Sequence, residues 1–425
     1  MPETAVQPAE ALAALSTEQG RENPYPIYDS LRTLGPVIPL GPVLVLVGYD
    51  ECATALRDKR LLSTDASVQD KMLPGWRGHS SWRWLTQLML FTNDPVHARQ
   101  RRFNHGPFTP RRVIEMRPMV ERIIEELIER LASLANSDAI DFMSEFAFRV
   151  PLAVQGELLG ITREEQLGMR DDIADVARTM EPIHDLRVLK PGDAAMDRMA
   201  AFFEALIEKR RAAPGDDLLS AMVQANNASK VLSGEAMVAN FLLLFEAGIE
   251  SPTDLIGNSL RLALAYPEEA ERLVSDPQQA HGFVAEVLRF DPPVHALSRM
   301  AGVDLDVAGV PVKAGTKITL LVAAANRDPR RFENPELFDP DRREAKPLTF
   351  GLGPHYCIGA ALATMESEIA LPRLLRRFPE IALAGMPSYR EQIVMRGYDQ
   401  LPVTLGEPAD ASARTTAEPA VAGDR

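Results

Sequence analysis

A mainly α fold with small β-sheets is predicted by three features of the sequence. Apolar residues recur at helical spacing over long stretches, β-branched runs are short and few, and neither an internal repeat nor a linker-like change of composition divides the chain. Nearly half of the 425 residues are apolar. That is enough for a large buried core, so wholesale disorder is excluded and one large domain over residues 21–405 is expected.

Taken in order, residues 1–20 are rich in Ala, Glu and Gln and read as a disordered tail. The run VLVLVGYD from Val43 reads as a strand. Met119, Ile123, Leu127 and Leu131 recur every fourth residue among charged ones, which makes a helix with one apolar stripe. Gly234 to Tyr266 reads as one longer helix, apolar around most of its circumference in its first half, so it should cross the interior. VDLDVAGVPVKAGT from Val303 and TKITLLVA from Thr316 are short strands with Gly or Pro punctuation. Residues 406–425 are small, polar and Pro-containing, and read as a second disordered tail.

The formal charge of −14 argues against a nucleic-acid partner, though it permits a local basic patch. Two cysteines, Cys52 and Cys357, allow at most one disulfide. With no secretory signal and no run near the ~20 apolar residues of a spanning helix, a soluble cytoplasmic protein without a membrane partner is expected.

Cys357 lies in FGLGPHYCIG, Phe350 to Gly359, ahead of a helical pattern carried by Ile358, Ala361, Leu362 and Met365. Gly351 and Gly353 allow backbone geometry closed to other residues and let a flat ligand approach. A thiol near a helix N-terminus is biased toward thiolate, a soft metal ligand or a nucleophile. Three readings compete: a small buried hydrophobe, a nucleophile needing a histidine base such as His355, and an axial ligand to haem iron.

The loop FGLGPHYCIGAALA resembles the haem-binding loop of bacterial cytochromes P450, F-G-x-G-x-H-x-C-x-G-x-x-L-A, at every fixed position. EVLR from Glu286, NRDP followed by ENPELFDPDR, DPVHARQRRF from Asp94 and RGYDQLPVTL from Arg396 are also similar to the family, so the resemblance covers about residues 23–405. It implies the cytochrome P450 fold, with haem b (iron protoporphyrin IX) between the long central helix and the helix after the cysteine loop. Cys357 would be the iron ligand, and Phe350, Gly351 and Gly359 would line the ring. His97, Arg101, Arg299 and His355 would receive the propionates. Glu286, Arg289 and Arg342 would form a salt-bridged structural triad behind the haem. Thiolate donation helps cleave the O–O bond of bound oxygen, which is what separates a monooxygenase from an oxygen carrier.

On the other side of the ring the family carries Ala-Gly-x-Glu/Asp-Thr, and this chain has Ala247, Gly248, Ile249, Glu250, Ser251 and Pro252. By the resemblance Glu250 and Ser251 are catalytic, and Ala247, Gly248 and Pro252 form the oxygen groove. Serine keeps the hydroxyl but lacks the methyl that limits χ1. Pro252 removes an N–H and clashes with the carbonyl of Gly248, so the helix should open there. A break placed for packing alone is the alternative.

By analogy with the family the substrate pocket draws on Trp82 and Trp84 from the loop at 63–91, on Leu243, on Val294, Ala296 and Leu297, and on Val394 and Met395. The expected substrate is a bulky natural product such as a polyketide, macrolide or cyclic peptide, free or bound to a carrier protein. The outcome would be hydroxylation or epoxidation; oxidative coupling, and a haem-binding sensor or recruiter without oxygen activation, are the alternatives. No flavin or nicotinamide fingerprint is found. A ferredoxin and its reductase are therefore the expected electron donors, with Arg111, Arg112 and Arg373 as candidate footing for them.

Overall fold

The computed structural model describes residues 7–135, 137–182, 185–343 and 346–409. It is mainly helical, with four small sheets. The largest has five strands in the spatial order Val37–Leu40, Val43–Leu46, Lys317–Leu320, Leu297–Ala301 and Leu61–Leu62. Only the pair Val43–Leu46 with Lys317–Leu320 is parallel. The register sets Arg299 opposite Ile318. All three strand stretches read from the sequence form strands, and the one from Val303 is the hairpin Leu305–Val307 with Val310–Val312.

Two expectations are corrected. The first concerns the N-terminal tail, which is helical over Pro8–Ala14 and Glu18–Glu22. Thr17 caps the second helix by accepting from the Gly20 N–H, and Leu15 is buried with Tyr28, Leu31 and Ile38. Alanine and glutamate are strong helix formers, and one apolar anchor suffices to dock such a segment. Residues 1–6 and 410–425 of the expected tails lie outside the described residues.

The second concerns the long central helix, which is two helices: Gly234–Ala247 and Glu250–Ala265, interrupted at Gly248 and Ile249. Pro252 falls in the first turn of the second helix, where a missing N–H has no helical partner to lose. The Ile249 carbonyl restarts the ladder by accepting from the Thr253 N–H at 3.1 Å and from its hydroxyl at 2.7 Å. The interruption is also where one core hands over to another. Phe241 to Phe245 pack with Trp82, Met196 and Phe203, whereas Leu255 and Ile256 pack with Phe142, Phe283 and Leu374.

Helix Pro110–Ala132 carries the predicted stripe, with Ile123, Leu127 and Leu131 buried against helix Ala360–Arg377, the helix that follows Cys357. That core ties the cysteine helix rigidly to the second central helix. Among the described residues no helix is long and apolar enough to cross a membrane.

Candidate functional site

Cys357 sits three residues before helix Ala360–Arg377, and its N–H donates to the Phe350 carbonyl at 2.8 Å. Gly351 and Gly353 hold left-handed φ values of 67° and 70°. A side chain at Gly353 would press on the Leu56 carbonyl, so glycine is required there twice over. Burial pushes the Cys357 thiol up, and the N–H groups of Gly359 and Ala360 together with Arg101 pull it back only in part. The helix terminus therefore does bear on the sulfur, but without a bound cation it does not make a thiolate, because desolvation outweighs it.

Four basic groups from three segments gather beside this loop. The rings of His97 and His355 lie 4.0 Å apart between centroids. Burial drives His355 down to about 3, aided by His97, Arg299 and Arg101, so all four feel one another. Burial also lowers His97, Arg101 and, to about 10, Arg299. His97 has Asp94 at 3.7 Å, His355 has the Ser63 hydroxyl at 3.3 Å, and Arg299 donates to the Ser298 carbonyl at 2.8 Å. Among the described residues no carboxylate pairs with Arg101, Arg299 or His355.

Behind the loop, Arg289 donates to both oxygens of Glu286 at 2.6 and 2.8 Å, and Arg342 Nε donates to Glu286 Oε1 at 3.3 Å. Arg289 also donates to the carbonyls of Asn326, Pro335 and Leu337. Asn326 passes the connection on: its Oδ1 accepts from the Leu348 N–H at 2.7 Å, and its Nδ2 donates to Thr349 Oγ1 at 3.0 Å. Asn326 and Thr349 were missed as positioning residues. NRDP was the only signal, and nothing local in it says what the asparagine reaches.

The central interruption is built from unlike parts. Ala247 is exposed and Gly248 and Ser251 are half-buried on helices otherwise buried around them, so this edge borders open space. Gln155 packs against Gly248, a neighbour no sequence signal identified. Glu250 points toward Arg390, whose Nη1 donates to its Oε1 at 3.0 Å, and the same guanidinium reaches Asp254. Glu246, Glu250 and Asp254 are thus three buried carboxylates one helical turn apart. Burial raises all three, Glu246 and Asp254 to about 8.

Of the pocket candidates, Trp82 is buried with Phe91, and Trp84 and Phe91 pack on the same apolar cluster as Leu243. The third tryptophan, Trp76, is fixed by donating to Asp70 at 2.9 Å and serves packing. Val294 bridges Met395, and the His295 N–H donates to the Val394 carbonyl at 2.8 Å. Two of the four pocket segments are therefore one unit. Val294, Ala296, Leu297, Val394 and Met395 are all half-buried. Of the candidate basic footing, Arg111 and Arg112 are exposed and pair with Glu115, and Arg373 pairs with Glu121 and Glu125. The Arg111 and Arg112 pairs follow from i,i+4 and i,i+3 spacing within one helix, whereas Arg373 reaches its glutamates across to the helix Pro110–Ala132.

Comparison with known proteins gives a consistent picture. The cytochrome P450 family model matches residues 278–384. The vitamin D(3) 25-hydroxylase of Pseudonocardia autotrophica is 35% identical, over 91% of this chain and 94% of that protein. The 6-deoxyerythronolide B hydroxylase of Saccharopolyspora erythraea is 34% identical, over 90% and 96%. A solved structure of P450BioI in complex with hexadec-9Z-enoic acid ligated acyl carrier protein has a TM-score of 0.84 at 31% identity, covering 91% of this chain and all of that one.

Proposed function

The chain belongs to the cytochrome P450 family and is a P450 monooxygenase, and from that premise we propose that it hydroxylates or epoxidises a bulky natural product, a polyketide, macrolide or cyclic peptide. The observation that carries the site is the group of four basic side chains beside Cys357, three of them without a carboxylate partner among the described residues. Arg101 and Arg299 are partly buried cations, which are costly when uncompensated, and two propionates would supply the missing negative charge.

In this reading the cofactor would be haem b, which Cys357 would hold through its sulfur and which His97, Arg101, Arg299 and His355 would hold through the propionates. Phe350, Gly351 and Gly359 would line the ring. The only other cysteine, Cys52, is buried and directed at the Leu46 carbonyl, so no thioether attachment competes. When bound, the group supplies reductive activation of oxygen, and electron donation from sulfur favours O–O cleavage. The chain's own work is to hold, exclude and deliver. The Glu286–Arg289–Arg342 network with Asn326 fixes the loop that presents the sulfur. Pro252 cannot donate to the Gly248 carbonyl, so the groove at Ala247 and Gly248 stays open. The Ser251 hydroxyl donates a proton into that groove, and Glu250, held by Arg390, replenishes it.

The half-buried apolar unit of Val294, Ala296, Leu297, Val394 and Met395 supports a large, weakly polar substrate. Delivery on a carrier protein is part of the proposal, prompted by the acyl carrier protein bound to P450BioI. Electrons come from a ferredoxin and its reductase. The test is a reduced, CO-bound spectrum, expected to show the red-shifted thiolate band, followed by spin-shift titration with macrolide, polyketide and cyclic-peptide panels. Product from a responding compound with surrogate ferredoxin and reductase supports the reading. A coupled dimer or ring closure points instead to oxidative coupling, which the Ser251–Pro252 departure favours, and no product from any responder points to a sensor.

A further inference from the structure

The turn that carries Val394 and Met395 has an unusual acceptor. The N–H groups of Ile393, Val394 and Met395 all donate to the carboxylate of Glu181, at 2.9 Å, 3.1 Å and 3.3 Å for the nearest oxygens, and Val394 reaches both oxygens. Among the described residues none of these three N–H groups has a backbone acceptor. The opposite side of the turn is tied down independently, by His295 N–H to the Val394 carbonyl and Arg396 N–H to the Pro293 carbonyl. Three successive N–H groups converging on one point form an anion nest, and here the nest holds a side chain of the protein itself.

Glu181 follows helix Arg170–Arg178, which packs along helix Lys190–Ala212. The same end of this helix pair, where Gly192 lies against Thr179, is fastened a second time by a carboxylate. Asp193, in the first turn of Lys190–Ala212, accepts from Ser81 N–H at 2.9 Å and Ser81 Oγ at 2.6 Å, and lies 2.6 Å from His79 Nδ1. His79 and Ser81 sit at the start of helix Ser80–Leu85, the helix of Trp82 and Trp84. One helix pair is thus held by two carboxylates onto two different pocket segments.

We propose that Glu181 is a positioning residue for substrate: its carboxylate holds the Ile393–Met395 turn and the helix pair together over the pocket, and bulky ligands enter and leave when that clasp lets go. The inference rests on the pocket assignment proposed above. Two observations favour a releasable clasp over a permanent tie. The contact is made entirely by one side chain on backbone N–H groups, so it can part without unpacking either element. Burial also works against the ionised form that the nest needs, raising the Glu181 carboxyl despite the three N–H groups.

The test compares a bulky and a small haem ligand on the purified holoenzyme, using econazole and carbon monoxide in stopped-flow measurements. Glu181→Ala is expected to raise both the association and dissociation rates of econazole at least fivefold, while CO rates stay within twofold. Glu181→Gln, which keeps an acceptor oxygen, should fall between. Hydrogen exchange at the amides of 393–395 should quicken about tenfold in Glu181→Ala. Unchanged econazole rates in Glu181→Ala with an intact CO spectrum would overturn the proposal, as would unchanged exchange at 393–395. A wild-type protein with no spectral response to either ligand would instead sink the haem-site reading, and the exchange measurement would still decide the clasp.

Discussion

Replacing Arg390 with glutamine should destabilise the protein by an amount that grows as pH rises. Arg390 is the main cation facing Glu250 and Asp254; Arg178 acts on Glu250 from a greater distance, and Glu181 and Glu246 add negative charge. Asp254 is pushed up to about 8, so at pH 7 it is already largely protonated, and burial raises Glu250 as well; the charge that Arg390 balances therefore grows as pH rises. Leaving one buried carboxylate without its partner costs about 3–5 kcal/mol. Without the guanidinium the folded-state pKa of Glu250 rises further above its unfolded value. The folded variant then binds more protons than the unfolded chain, and its stability falls as pH climbs between the two. The loss should therefore approach about 3 kcal/mol at pH 8 and shrink toward about 1 kcal/mol near pH 5, as the carboxyls take up protons and mainly hydrogen bonds are missing. Denaturant melts followed by tryptophan fluorescence at pH 5 and pH 8 measure the difference. A loss that is the same at both values, or below about 0.5 kcal/mol at pH 8 as for exposed pairs, would refute the assignment.

Three further outcomes follow from the same geometry. Arg289→Leu should cost about 3–5 kcal/mol and release the cysteine loop through Asn326, read as a lowered melting temperature and reduced haem content. Gly397→Ala places a methyl against the ion pair of Asp254 and Arg390, and should lower stability by about 1–3 kcal/mol with a melt shifted in the same direction as Arg390→Gln. Ser251→Ala should leave the CO spectrum unchanged while product formation drops by about 100-fold and peroxide rises; undiminished coupling would remove Ser251 from the proton path.

The parts legible in the sequence are those whose physics is local. The glycines at 351 and 353 are required by backbone angles that no other residue adopts cheaply, and Pro252 marks a helix start, in the first turn of Glu250–Ala265. Strands of β-branched residues and the stripe of Ile123, Leu127 and Leu131 likewise announced themselves by period alone. The N-terminal helices did not, since an Ala- and Glu-rich segment is either loose or helical according to whether one residue, Leu15, finds a core.

What only the tertiary structure decided is which charges meet. Glu250 was visible as a candidate acid, but its partner Arg390 lies 140 residues away, and the two share a buried site because a hairpin after the cysteine helix folds back over the central interruption. Glu181 meets the Ile393–Met395 turn across more than 200 residues for the same reason. Arg111, Arg112 and Arg373 are visible in the sequence as candidate footing for a partner, but the glutamates each of them meets are not all visible there. Backbone preference is a property of a few neighbouring residues, whereas the energy of a charge is set by everything within about 10 Å of it, and that neighbourhood comes into being only when the chain has folded.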